Sequence, residues 1–163
     1  MATGATMVHD RRTAGTFVDD QVIELKALNN LRTDEDLWRQ SHISPISFNN
    51  IVLLAGEVPN DFLRERAEGL IKQISDIRHI YNELAVSAPS SALSRTSDSW
   101  VTGKVKASLA TDKSIDATRI KVVTARGIVY LMGLVTRQEA DLATEVARRV
   151  GGVQRVIKLF EYI

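Results

Sequence analysis

The chain has 163 residues, with 21 basic and 20 acidic side chains, a net charge of +1 and 44% hydrophobic residues. It contains no cysteine, which excludes disulfides and thiolate metal sites within it. No apolar run approaches the roughly 20 residues of a membrane-crossing helix, and residues 1–8 are too short and polar for a secretory signal peptide.

Residues 1–16, rich in Thr, Ala and Gly and without periodicity, read as a flexible leader. Asp19 or Asp20 then caps a helix whose apolar residues Val22, Ile23, Ala27, Leu28 and Leu31 recur at three- and four-residue spacing. A polar stretch with Asp34, Glu35 and Asp36 follows. Residues 42–48 and 51–58 form a hairpin about Asn49-Asn50, which tolerate the left-handed conformations of a two-residue turn. Gly56, near the end of the second strand, marks a bulge or a close backbone approach. Pro59-Asn60-Asp61 opens a second helix running to about residue 75, and 78–86 is a strand. Residues 87–96, Ser-rich and holding Pro89, read as a flexible linker. The same order then returns: helix 98–110, a hairpin of 119–125 and 128–135 about Arg126-Gly127, helix 136–150 ended by Gly151-Gly152, and strand 153–162.

The return is a duplication. Ile51-Val-Leu-Leu-Ala-Gly-Glu-Val58 is echoed by Ile128-Val-Tyr-Leu-Met-Gly-Leu-Val135. Val22, Ile23, Ala27 and Leu31 match Trp100, Val101, Val105 and Leu109, and Ala67, Leu70, Ile74, Ile77 and Ile80 match Ala143, Val146, Val150, Val153 and Val156. The offset drifts by single residues between apolar blocks, which means two copies of one small fold with different loop lengths. The division is therefore leader 1–16, first domain 17–86, linker 87–96 and second domain 97–163. Each domain reads as α+β, in α-β-β-α-β order: an antiparallel strand pair, a third strand returning beside it through the helix, and two helices covering one face of this mixed three-stranded sheet. Domains this small bury only about 60% of their unfolded surface, so the two copies are expected to pack together. Charge is divided unequally. Residues 17–87 hold 7 basic and 12 acidic side chains, whereas 97–163 hold 11 basic and 7 acidic. The second copy is thus the one suited to an anionic partner.

With Val129-Tyr-Leu-Met-Gly-Leu-Val135, the alanines 140, 143 and 147, and Val150-Gly-Gly-Val153 in hand, the chain resembles tandem BON domains over about residues 10–163. The first copy has Val52-Leu-Leu-Ala-Gly-Glu-Val58 but departs with Ser75-Asp76-Ile77 where Gly151-Gly152-Val153 stand. Asp10-Arg-Arg-Thr-Ala-Gly-Thr16, Asp98-Ser-Trp-Val-Thr102 and Leu131-Met-Gly-Leu-Val-Thr136 make it similar to the dual-BON-domain outer-membrane lipoproteins of Gram-negative bacteria. That resemblance implies a lipidated N-terminal cysteine, a place in the periplasm at the inner face of the outer membrane, and anionic phospholipid binding through the second domain. It also implies support of outer-membrane integrity, recruitment to the cell division site and assistance to the outer-membrane protein assembly machinery. The chain departs in lacking the cysteine and a signal peptide, as expected if that leader has been removed.

The residues themselves point to the first helix of the second copy. Val101, Val105 and Leu109 lie at four-residue spacing and should enter the core. Trp100, Gly103, Ala107 and Ala110 follow an opposite stripe, edged by Lys104 and Lys106. Indole rings settle at lipid headgroup level and lysines meet anionic phosphates. The competing reading packs Trp100 against the first copy or the linker. In the first copy Val22 replaces the tryptophan, and Asp19, Asp20, Asp34, Glu35 and Asp36 give an acidic rim that repels an anionic bilayer. Trp38, in the loop after that helix, reads as a core plug.

Other chemistry is poorly served. His9, His42 and His79 are scattered, without metal-ligand spacing. No Gly-rich loop precedes a helix, and no serine sits in a nucleophile turn. No catalytic residue, cofactor or metal is expected. Arg148, Arg149, Arg155 and Lys158 form a basic patch, but aromatics are not interleaved with it, so nucleic acid lacks a stacking platform. The expectation is a non-enzymatic periplasmic lipoprotein whose second domain engages phosphatidylglycerol or cardiolipin. Trp100 would insert, Gly103, Ala107 and Ala110 would let the helix lie close, and Lys104 and Lys106 would pair with phosphates. Lys113, Arg119 and Lys121 would extend the basic rim. The alternative is a soluble periplasmic stress-response chaperone or adaptor of the tandem-BON type.

Overall fold

Residues 10–163 are described by a computed structural model of the chain, which divides into two compact units. One is Thr13–Ser91, and the other is Ala92–Ile163 together with residues 10–12. Most of the leader lies outside the described residues. Each unit keeps the expected α-β-β-α-β order, to which the first adds a short helix and a break in its last strand, with its helices against one face of a mixed sheet.

The first domain comprises α1 (Ala14–Thr33), α2 (Glu35–Gln40), β1 (His42–Phe48), β2 (Ile51–Val58), α3 (Asp61–Lys72), β3 (His79–Asn82) and β4 (Ala85–Val86). Helix α1 takes in the last three residues of the expected leader, because the Thr13 hydroxyl accepts from Thr16 N and caps it. The acidic run expected as loop is also helical. Asp34 caps α2 by accepting from Leu37 N, and its carboxylate pairs with Arg66. That turn drives Leu37 into the core and lays Trp38 against it, with the Arg32 guanidinium 5.5 Å from the indole centroid. Trp38 is thus the plug expected of it, on a helix rather than a loop.

Strands β1 and β2 are antiparallel, Phe48 opposite Ile51, and β3 and β4 run parallel to β2. The single strand expected over 78–86 is broken in two. Leu54 pairs with Asn82 and Glu57 with Ala85, and in the gap Gly56 has a φ of 125°, which takes β2 out of the regular pleat. Gly56 also makes the close approach read from the sequence: a Cβ there would lie 1.9 Å from the His42 carbonyl oxygen. At the matching Gly133 the clash would be with the Arg119 carbonyl oxygen at 2.5 Å.

The second domain comprises α4 (Ala92–Thr111), a 3-10 turn Ala117–Arg119, β5 (Ile120–Ala125), β6 (Ile128–Val135), α5 (Arg137–Arg148) and β7 (Arg155–Tyr162). Its sheet is unbroken, β7 pairing with β6 from Ile128–Arg155 to Val135–Tyr162. Helix α4 begins six residues before its expected start, inside the stretch read as linker. Ala92, Leu93 and Arg95 are strong helix formers, and Thr96 turns its hydroxyl back onto the Ala92 carbonyl at 2.9 Å rather than breaking the turn. Val101, Val105 and Leu109 carry α4 into a core with Val129, Leu131 and Ala143.

The same device joins helix to hairpin in both domains. The Asp20 carboxylate, 2% exposed, accepts from Asn49 N at 2.7 Å, Asn50 N at 2.8 Å and the Ser47 hydroxyl at 2.7 Å. In the second domain Asp98 accepts from Arg126 N and Gly127 N, each at 2.9 Å. All four turn residues have positive φ, from 52° to 77°, so both N–H groups of each turn point to one side, where one carboxylate reaches them. Arg126 occupies this left-handed region without a glycine's freedom. Asp20→Ala leaves three donors unpaired and is expected to cost about 3 kcal/mol, against about 1–2 kcal/mol for the more exposed Asp98→Ala. Urea unfolding of the two variants checks the order.

Helix α5 opens with a capping box: the Thr136 hydroxyl accepts from Glu139 N, and Glu139 Oε1 accepts from Thr136 N at 3.0 Å. The same carboxylate receives Arg11 at 2.6 Å and Arg119 at 3.1 Å, while Arg11 also donates to the Leu134 carbonyl at 3.0 Å. Burial pushes the Glu139 carboxyl up, but Arg11, Thr136 and Arg119 outweigh it and hold the group at about 2, below its ordinary 4.5. A carboxyl lowered on folding stabilises the native state above its unfolded pKa, and that contribution disappears as pH falls through the folded one. Glu139→Gln is therefore expected to destabilise the domain at neutral pH and to flatten its loss of stability between about pH 4.5 and 2. Thermal melts across that range measure both effects.

Candidate lipid-binding helix

Helix α4 separates two surfaces. Val101, Val105 and Leu109 are buried, and on the far side Trp100 is 72% exposed. Gly103, Ala107 and Ala110 are exposed on the same outward side. A Cβ on Gly103 would meet nothing within 4 Å, so no packing among the described residues explains this glycine. Glycine inside a helix costs about 1 kcal/mol relative to alanine, and here that cost leaves a smooth shelf beside the indole. The six residues named for lipid contact therefore share one accessible helix.

The extra turns of α4 add a residue that sequence reasoning left in the linker. Leu93 lies seven residues before Trp100, two helical turns along the same face, and is 79% exposed. Its signal was the Ala92-Leu93 pair, obscured by the surrounding serines.

The cations divide into committed and available ones. Lys104 donates to the Gly151 carbonyl at 2.7 Å, where it meets the C-terminal end of α5. Lys106 and Lys113 are exposed and Lys121 half-buried, and none has an ion pair among the described residues. Arg119 is held between Asp116 at 3.5 Å and Glu139 at 3.1 Å, so its charge is largely matched. Thr136-x-x-Glu139 was readable as a capping box; the convergence of Arg11 and Arg119 on it, across 128 and 20 residues of sequence, was not. In the nucleic-acid patch, Arg148 and Arg149 both reach Glu145, at 2.7 and 3.5 Å.

The first domain's matching helix differs. Val22 stands at the place of Trp100, and Glu24, at the place of Thr102, accepts from Ser47 N at 2.9 Å. Thr102 instead donates to the Thr124 hydroxyl at 2.8 Å. His42 lies on β1 and His79 on β3; His9 is outside the described residues. Among the described residues no group of three potential metal ligands comes together, and no helix is long and apolar enough to cross a membrane.

The BON domain family model matches twice, at residues 19–88 and 97–163. Outer membrane lipoprotein DolP of Haemophilus influenzae is 36% identical over 162 residues, covering 99% of this chain and 84% of that protein. The 21 kDa hemolysin of Actinobacillus pleuropneumoniae is 37% identical over 154 residues, covering 94% of this chain and 79% of that one. Osmotically-inducible protein Y of Escherichia coli is 30% identical over 145 residues, covering 87% of this chain and 72% of that one. Two matched segments on two domains of the same architecture carry the conclusion: the chain belongs to the BON domain family.

Proposed function

We propose that this is a non-enzymatic tandem-BON protein of the outer membrane, facing the periplasm, whose second domain binds anionic phospholipid through the outward face of α4. The observation that carries the reading is the pair Leu93 and Trp100, both largely in water on one face of a helix whose other face is core. An exposed indole and leucine two turns apart, edged by Lys104 and Lys106, form a helix surface that lies in a membrane interface with its apolar side toward acyl chains. Each lysine near an anionic surface contributes about 1 kcal/mol. The matched charge of Arg119 removes it from the basic rim, leaving Lys113 and Lys121 there. Similarity over 99% of the chain to a protein named an outer membrane lipoprotein supports the location. Support of envelope integrity, a place at the division site and contact with the outer-membrane protein assembly machinery belong to the same proposal.

Co-sedimentation with phosphatidylglycerol and cardiolipin vesicles tests the site. The wild type is expected to bind these and not phosphatidylcholine. Trp100→Glu is expected to weaken binding by at least about tenfold, since it removes a buried ring and adds a repelled charge; equal binding by both proteins would refute the role of the ring. Leu93→Glu is expected to act in the same direction, which no linker residue would do. Affinity should also decline with salt, because screening shortens to about 8 Å near 0.15 M.

A further inference from the structure

The first domain carries an apolar stripe of its own. Val18, Val22 and Leu25 are 54%, 41% and 64% exposed on α1, on the side opposite the buried Ile23, Ala27 and Leu31. Their four- and three-residue spacing is that of a helix seam that packs against another helix. Asp19 and Lys26 are exposed along one edge of this seam, and neither has an ion pair among the described residues. No cation-rich rim surrounds the stripe, so it lacks what an anionic membrane would require. It does have an internal symmetry. Val18 stands four residues before Val22 and Leu25 three after it, while Asp19 stands three before and Lys26 four after.

We propose that this face of α1 is a contact between two copies of the chain, in which the helices cross antiparallel about a two-fold axis at Val22. In an isologous contact the same patch serves both partners and must be complementary to itself. Centring the dyad on Val22 meets that condition. Val22 faces its own copy, Val18 faces Leu25 along one edge, and Asp19 faces Lys26 along the other, each pairing occurring twice. The opposite charges are then matched without any further residue. Aligned in parallel about a two-fold axis, the two charged edges lie on opposite sides of the pair and Asp19 and Lys26 do not meet, so only the antiparallel arrangement matches these charges. The contact is small, with three aliphatic side chains per copy, which makes it a weak association that a shared surface would strengthen by concentrating the copies.

The absence of cysteine makes the test direct. In Val22→Cys the only thiol lies on the proposed axis, opposite itself, and mild oxidation without lipid is expected to give a disulfide-linked dimer. The comparison is Gln40→Cys, an exposed site on α2 away from the seam. Adding Lys26→Asp to the Val22→Cys protein sets like charges face to face and is expected to lower the yield at least about tenfold. Adding Asp19→Lys as well exchanges the charges and is expected to restore it, which a variant that merely failed to fold would not show. Dimer no more abundant than from Gln40→Cys, or no recovery in the exchanged protein, would overturn the proposal. Leu25→Glu in the Val22→Cys protein is expected to lower the yield too. If it leaves the yield intact and instead weakens vesicle binding, the stripe serves lipid and the proposal fails. Because the crosslinking uses no lipid, its failure would leave the role of α4 standing.

Discussion

In each domain a carboxylate on the first helix holds both backbone N–H groups of the hairpin turn. The turn is tight, with both central residues left-handed, and its amides would otherwise face the helix unpaired. Once Asp20 or Asp98 receives them, the height of the helix over the sheet and its rotation about its own axis are both set. Rotation decides which residues enter the core and which are turned to solvent. The outward faces of both helices follow from that one contact. Trp100 is two residues past Asp98, and Val22 two past Asp20, so the clamp that buries Val101 and Ile23 also turns their predecessors outward.

The duplicated domains have used that shared geometry differently. Equivalent positions hold tryptophan in one and valine in the other, and a smooth glycine shelf in one and Leu25 in the other. Lys26 and Lys104 are also equivalents, but only the second has an acceptor at the end of the next helix. Gly151-Gly152 brings the Gly151 carbonyl to the Lys104 ammonium, with Gly152 at φ 94°. In the first domain Asp76 takes the left-handed place at φ 72°, and Lys26 makes no such bond among the described residues. Divergence is concentrated on surfaces, while the glycine that lets neighbouring strands approach is kept at both Gly56 and Gly133.

Much of this was legible because its causes are local or periodic. The repeat, the strand order, the hairpin turns at Asn49-Asn50 and Arg126-Gly127, the close approach at Gly56 and the buried stripe of α4 all follow from spacing and from single-residue backbone preference. What was illegible came from contacts distant in sequence or from composition that misleads. Ser-rich 87–96 looks like a linker, yet four of its last five residues suit a helix once Thr96 bonds backward, and Leu93 went unnoticed with them. The acidic run at 34–36 looks like solvated loop until Asp34 is seen to cap a turn that buries Leu37. The break between β3 and β4 depends on the conformation of Gly56 on the neighbouring strand. Arg11 meets Glu139 across 128 residues, a distance at which no local pattern speaks.

Tandem copies of one fold run a hazard during synthesis: the helix of one can settle on the hairpin of the other. The clamps described above are similar but not interchangeable. Asp20 takes the Ser47 hydroxyl as well as two amides, and Glu24 takes the Ser47 amide, whereas Thr102 answers Thr124 hydroxyl to hydroxyl. An exchanged pairing would set Thr102 against the first hairpin in the place of Glu24, and the Ser47 amide would lose its carboxylate acceptor. Each helix thus carries a key cut for its own sheet, and correct assembly of the duplicated chain is favoured by the very positions at which the copies have drifted apart.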